Sequence, residues 1–150
     1  MPPVNLLIKP ASSNCNMRCS YCFYTDEAEH RLLPSFGIMS QKTLEVILKK
    51  ALAYAKGWCS IAFQGGEPTL AGIDFFRKAV EIVQRYRPLG LEVQFSIQTN
   101  GLLIDKEWAG FLSENNFLVG LSLDGPKEIH DRYRVDKQGK GTYNRVMQAA

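Results

Sequence analysis

Trp58-Cys59-Ser60-Ile61-Ala62-Phe63 is an apolar run that breaks off on Gln64-Gly65-Gly66-Glu67-Pro68. It is short, carries aromatic and β-branched residues, and is closed by Gly and Pro, so it reads as a buried strand rather than a helix. The same grammar repeats on both sides of it. Upstream, Ser40 is a helix N-cap, and Leu44, Ile47, Leu48, Ala51 and Ala55 follow at helical spacing until Gly57 closes the element. Before that helix, Val4-Asn5-Leu6-Leu7-Ile8-Lys9 reads as a strand ended by Pro10, and residues 10 to 39 read as one long loop. Downstream, Phe75, Phe76, Ala79, Val80 and Val83 mark a helix that ends near Pro88-Leu89-Gly90. Leu91 to Ile97 alternates with period two, as a strand does, and stops at Thr99-Asn100-Gly101. Asp105 caps a third helix with Trp108, Phe111 and Leu112 inward, and Phe117 to Leu123 is a fourth strand stopped by Asp124-Gly125-Pro126. A polar segment and a helical start over Tyr143 to Ala150 complete the chain.

The order βαβαβαβ predicts an α/β fold with a parallel sheet and right-handed crossovers. Two architectures satisfy it: an open doubly wound sheet, or part of a (β/α) barrel. Four strands are too few to close a barrel, and Val146-Met147-Gln148-Ala149-Ala150 carries no helix stop. The expectation is therefore an N-terminal portion of a larger domain, with exposed sheet edges and apolar faces.

Composition narrows the function classes. The 150 residues carry 18 basic and 15 acidic side chains, a formal net charge of +3, mixed along the chain. No basic stripe supports nucleic-acid binding. No apolar stretch approaches the roughly 20 residues that span a membrane, and the first residues make a poor signal peptide. The expected compartment is the cytoplasm, where thiols stay reduced.

Parallel strands bring their carboxyl ends to one edge, where ligands bind in such sheets. Each strand here ends in a polar or small-residue cluster: Cys15-x-x-x-Cys19-x-x-Cys22, Gly65-Gly66-Glu67-Pro68, Gln98-Thr99-Asn100-Gly101 and Ser122-Leu123-Asp124-Gly125-Pro126. Four clusters in register point to a common ligand. Three closely spaced thiols suit zinc or an iron–sulfur cluster. His30 could complete a zinc site; otherwise one iron of a cluster is left open to substrate. Cys59, inside a strand, reads as core packing. The glycines of the second cluster let backbone approach a ligand, and Glu67 offers an anionic acceptor for an ammonium. Ser122 and Asp124, two apart on a strand, would share a face. Arg134 reads as a carboxylate clamp or a solvated charge, and His130 as a general base or, more plainly, a surface-loop histidine. Tyr21, Phe23 and Tyr24 flank the cysteines and would shield a cluster, stack on a nucleobase or pack the loop. Gly139-Lys140-Gly141 follows no strand and is discounted as a phosphate loop.

Cys15-Asn16-Met17-Arg18-Cys19-Ser20-Tyr21-Cys22 resembles the C-x-x-x-C-x-aromatic-C signature of radical S-adenosylmethionine (SAM) enzymes. Gly65-Gly66-Glu67-Pro68-Thr69-Leu70, Gln98-Thr99-Asn100-Gly101, Ser122-Leu123-Asp124-Gly125 and Ile129-His130-Asp131-x-Tyr133-Arg134 further resemble the anaerobic sulfatase-maturating enzymes of the SPASM type. The resemblance implies a partial (β/α)₆ TIM-like barrel, of which this chain holds about the first four βα units. It implies a 4Fe–4S cluster on Cys15, Cys19 and Cys22, with SAM on the open iron. By position, Tyr21 would contact the adenine, and Gly65, Gly66 and Glu67 the SAM amino group. Ser122 and Arg134 would reach its ribose and carboxylate side, Asp124 would line the same mouth, and Tyr24 and Gln64 would face a substrate peptide. The implied activity is conversion of a cysteine or serine of a sulfatase to formylglycine through a 5′-deoxyadenosyl radical, fed by a flavodoxin- or ferredoxin-like one-electron donor. The family's proton-accepting acid and its cysteine-rich C-terminal region for auxiliary clusters have no counterpart here, so no catalytic base is assigned. The competing readings are another SPASM-type peptide modifier and a non-catalytic zinc module on Cys15, Cys19, Cys22 and His30. A doubly wound nucleotide-binding domain ranks last, for want of a Gly-x-Gly-x-x-Gly turn.

Overall fold

The computed structural model describes residues 2–150. Its elements are β1 (Val4–Ile8), α1 (Phe23–Glu29), α2 (Gln41–Tyr54), β2 (Trp58–Phe63), a 3₁₀ turn (Pro68–Ala71), α3 (Ile73–Tyr86), β3 (Glu92–Thr99), α4 (Lys106–Glu114), β4 (Leu118–Leu121), α5 (Lys127–Tyr133) and α6 (Tyr143–Met147). The strands form one parallel sheet in the order β1-β2-β3-β4. That order separates the two architectures. A doubly wound sheet reverses direction part-way so that helices cover both faces, whereas here every crossover steps the same way, as in a barrel.

The helices accordingly gather on one face. Leu44, Leu48 and Leu52 of α2, Phe75 and Phe76 of α3, and Trp108 and Phe111 of α4 meet Cys59, Ile61 and Phe63 of β2 and Phe95 and Ile97 of β3 in a single core. Aromatic rings dominate its centre. Phe63 and Phe76 lie edge to face at 4.9 Å, Phe76 and Trp108 at 5.1 Å, and Phe95 stacks on Phe117 at 4.8 Å. Such pairs each add roughly 1 kcal/mol beyond the area they bury. The other face stays open: Leu7 is 60% exposed and Leu118 64%, beside exposed Gln94 and Gln98.

Local signals set the boundaries that matter. Ser40 Oγ accepts the Thr43 N–H at the head of α2, and Asp105 Oδ1 accepts the Trp108 N–H at the head of α4, as the capping residues predict. Four expectations are corrected. The loop over residues 10–39 contains α1, which buries none of its side chains and so left no apolar period to read. β4 stops at Leu121 rather than Leu123, because it pairs only with Ser96–Thr99 and ends where β3 ends. Ser122 and Asp124 therefore lie beyond the strand, and strand alternation does not place them together. The polar segment holds α5, and α6 covers Tyr143–Met147 rather than running on to Ala150.

Candidate active site

The carboxyl ends of β1, β2 and β3 lie side by side, since Ile8 pairs with Phe63 and Phe63 with Ile97. The cysteine loop folds back over this edge. The Glu67 N–H donates to the Asn14 carbonyl at 2.7 Å, clasping the loop to the turn after β2. Gly66 makes that contact possible: its φ is +58°, and a Cβ there would stand 2.3 Å from the Asn14 carbonyl oxygen. The far side of the loop is tied down by Arg18 N–H to the Val135 carbonyl and Ser20 N–H to the Tyr133 carbonyl.

Glu67 is 1% exposed. A buried carboxylate is costly unless its oxygens are filled with donors. Oε1 accepts from the Thr69 N–H (3.0 Å), the Thr69 hydroxyl (2.7 Å) and the Thr99 hydroxyl (2.7 Å), and Oε2 accepts the Asn100 N–H (2.7 Å). One side chain thus joins the ends of β2 and β3. The Asn100 side-chain amide continues the chain, donating to Asn16 Oδ1 at 2.7 Å and reaching Cys15 Sγ at 3.6 Å.

A charged group holds the opposite corner. Arg134 Nη1 lies 3.8 Å from Cys19 Sγ, and the guanidinium stands 5.4 Å from the centre of the Tyr21 ring. Its Nε is 2.9 Å from Asp124 Oδ1, off the N–H axis, so this contact is ionic rather than a hydrogen bond. The Tyr21 hydroxyl donates to Asp124 Oδ2. Burial raises the Asp124 carboxyl, but Tyr21 and Arg134 outweigh it and hold the group below its ordinary value. The Tyr21 phenol is pushed up to about 12, by burial and by its bond to that carboxylate.

Between these corners lies a cavity of ≈ 290 Å³. Cys15, Cys19 and Cys22 line it with Tyr21, Tyr24 and Arg134; so do Gln64, Gly65, Gly66, Glu67 and Ser122. The structure brings together all the expected site residues but Asp124, which stands behind the wall and acts through Arg134 and Tyr21. Ser122 Oγ accepts from the Gln98 amide at 2.9 Å, and the Gln64 amide donates to the Tyr24 hydroxyl at 3.4 Å. Thr69, Thr99, Asn100 and Gln98 carry individual roles that the sequence did not assign. Gln98, Thr99 and Asn100 were read only as a polar cluster after β3, and Thr69 only as part of the motif after β2.

Two expectations fail. His130 is a fully buried residue of α5 rather than a surface-loop histidine, because its ring packs under the turn after β4. His30, the C-cap of α1, is exposed, and its Nδ1 is 2.8 Å from the Asp26 carbonyl. Among the described residues, no three His, Cys, Asp or Glu side chains converge closely enough to hold one metal ion. A zinc ion needs its thiolates about 2.3 Å away in a closed tetrahedron, so the zinc module has no site.

A cubane cluster fits better. It is larger than one ion, and its three ligated corners accept thiolates spread around a cavity. Burial raises the Cys15 thiol, against the Met17 N–H, and burial raises Cys19, against Arg134. Raised thiols such as Cys15 and Cys19 give up their protons when a cationic centre takes their place.

The model of the radical SAM superfamily matches residues 10–150. The chain belongs to the radical SAM superfamily. The superfamily's cofactors are a 4Fe–4S cluster and SAM, and the three thiols and the glycine turn supply the groups to hold them. The chain is 54% identical over 147 residues to a cysteine-type anaerobic sulfatase-maturating enzyme of Clostridium novyi, covering 98% of this chain and 39% of that protein. It is 36% identical to a serine-type enzyme of Bacteroides thetaiotaomicron, covering 97% and 35%. It superposes on a solved structure of native anSMEcpe with bound AdoMet with a TM-score of 0.92 at 54% identity, covering 98% of this chain and 40% of that one. The chain thus spans about two-fifths of the length of these relatives.

Proposed function

We infer that residues 1–150 are the N-terminal portion of a radical SAM core domain, in an oxidoreductase that matures sulfatases by converting a cysteine to formylglycine. Three thiols, Cys15, Cys19 and Cys22, lining one cavity beside the glycine turn carry this reading. The cysteine type is favoured over the serine type because identity to the cysteine-type relatives is 54% against 36%. A solved anSMEcpe with AdoMet and the Cp18Cys peptide, TM-score 0.91, supports a peptide substrate.

When bound, the cluster and SAM would supply the radical chemistry that oxidises the substrate side chain, with Cys15, Cys19 and Cys22 as the cluster's protein ligands. The chain's own residues bind and orient. Cys15, Cys19 and Cys22 hold three irons. The turn of Gly65 and Gly66, with φ of +110° and +58°, presents backbone to the SAM ammonium. Glu67, filled by four donors, acts mainly by fixing that turn. Arg134 offers its guanidinium to the SAM carboxylate, Ser122 its hydroxyl to the ribose, and Tyr21 its ring to the adenine. Tyr24 and Gln64, bonded to each other, face the peptide. The cluster would need a one-electron donor, and we propose one of flavodoxin or ferredoxin type. None of the described helices is long and apolar enough to cross a membrane. Cysteines that hold a cluster must stay reduced, which supports the cytoplasm as the compartment.

The test is anaerobic incubation of the iron- and sulfide-reconstituted protein with SAM, a reductant and a sulfatase-derived cysteine peptide. Mass spectrometry should show the thiol replaced by an aldehyde. A colourless protein with stoichiometric zinc, and an unchanged peptide, would overturn the reading.

A further inference from the structure

His130 uses both ring nitrogens, and neither partner is catalytic. Nδ1 accepts the Asp124 backbone N–H at 3.3 Å, and Nε2 lies 3.0 Å from the Thr142 hydroxyl. The Thr142 hydroxyl in turn donates to the Arg134 carbonyl at 3.0 Å, and the Arg134 N–H donates to the His130 carbonyl at 2.7 Å. Proton bookkeeping then has one solution. Nδ1 accepts, and Thr142 has spent its proton on Arg134, so Nε2 carries the hydrogen and the imidazole is neutral. Burial, reinforced by the Arg134 cation, lowers its proton affinity in agreement.

His130 and Thr142 are both fully buried. Around them the chain closes a ring: Asp124 backbone to His130, His130 to Thr142, Thr142 to the Arg134 backbone, and the Arg134 guanidinium back to the Asp124 carboxylate. Three separate segments are joined: the turn after β4, α5 with its C-cap, and the head of α6. The packing around the ring is close. The Tyr143 ring sits edge-on to His130 at 5.6 Å, and the Asp131 carboxylate accepts the Tyr143 N–H at 2.8 Å. A Cβ on Gly141 would lie 2.3 Å from Asp131 Cγ, so the segment leading to Thr142 packs closely on that side chain.

We propose that His130 and Thr142 are positioning residues that set where Asp124 and Arg134 stand, and so aim the guanidinium at the Cys19 corner of the cluster and at bound SAM. This rests on the radical SAM reading of the site. Arg134 is the only charged group hydrogen-bonded to a cysteine sulfur among the described residues. A cation there stabilises the reduced, more negative cluster and raises its potential. A guanidinium that wanders by an ångström loses that effect and its ionic contact with the Asp124 carboxylate together.

The experiment uses the anaerobically reconstituted holoenzyme and three variants. His130→Gln keeps a donor near Nε2 and loses the acceptor for Asp124. Thr142→Val removes the hydroxyl at constant shape, and Thr142→Ser restores it. Two readouts are taken besides turnover: the midpoint potential of the cluster, and the SAM titration of its reduced electron-paramagnetic-resonance spectrum. The expected result is normal iron content, a midpoint shifted to more negative potential, and SAM affinity weakened about tenfold in His130→Gln and Thr142→Val. Thr142→Ser should return both values to wild type. An unchanged midpoint and SAM affinity in either loaded variant overturns the proposal. Should His130→Gln fail to fold, Thr142→Val against Thr142→Ser decides alone. A wild-type cluster with no spectral response to SAM sinks the radical SAM reading itself, and with it this proposal; that failure shows in the control rather than in the variants.

Discussion

The two corners of the cysteine loop are held by opposite means. At Cys15 the support is a buried carboxylate, Glu67, saturated by backbone and hydroxyl donors from the ends of β2 and β3 and extended by Asn100. At Cys19 it is an ion pair on the rim, Asp124 with Arg134, joined by an exposed tyrosine. The first is part of the core; removing any piece leaves a polar group without water. The second is partly solvated, and water or salt replaces what is lost. Changes at the first corner thus fall on the core, whereas the charged side chains of the second can be changed at smaller cost.

The strongest way to break this comparison is Glu67→Gln. Whichever way the new amide turns, its NH2 group faces a backbone N–H, of Asn100 or of Thr69, and the remaining donors lose a charged acceptor. We expect a loss of about 3 kcal/mol, read as a lowered urea midpoint with unchanged slope. A stability within 0.5 kcal/mol (roughly the noise of a surface substitution) would show that the Cys15 corner is no more integral than the rim. Gly66→Ala follows. The left-handed backbone and the approach to the Asn14 carbonyl predict about 2 kcal/mol and poor iron uptake, even where the helical signal in circular dichroism survives.

Asp124→Asn sharpens the contrast from the other side. Its stability cost should be about 1 kcal/mol and should shrink as salt is raised from low to moderate ionic strength, since the pair is partly exposed. The Glu67→Gln cost should not respond to salt. If both respond alike, the distinction between corners fails.

The smallest effect is a pH dependence. His130 has its proton affinity lowered in the folded state, first by burial and then by Arg134; Asp124, Asp131 and Lys127 also face it. The unfolded chain therefore takes up the proton first as pH falls. Stability present above the ordinary histidine value, about 6.5, is lost as pH drops through the lower folded value. Melting curves should fall between about pH 7.5 and 5.5 in the wild type and fall less in His130→Gln; equal slopes would remove His130 as the cause.

Much of the molecule was legible beforehand because its signals are local. Ser40 and Asp105 announce their helices, and β2 ends at the predicted residue, since a cap or a glycine stop acts within a few positions. The clustering at strand ends followed from parallel pairing alone. α1 was invisible because it buries nothing, and β4 was overdrawn because its length is set by its partner β3. His130 was misjudged for a similar reason: a polar segment looks exposed until something folds over it.

The order of elements, the three-cysteine loop and the edge where chemistry gathers belong to the sequence itself, because hydrophobic period, turn residues and ligand spacing are properties of neighbours along the chain. Tertiary structure alone decided that Glu67 is an anchor saturated by donors, that Asp124 works from behind the wall, and that His130 and Thr142 close a ring around Arg134. The bonds from Thr99 and Asn100 to Glu67 and from Tyr21 to Asp124 join residues 32, 33 and 103 positions apart. Only the packed chain brings such donors and acceptors to one place and removes the water that would otherwise satisfy them.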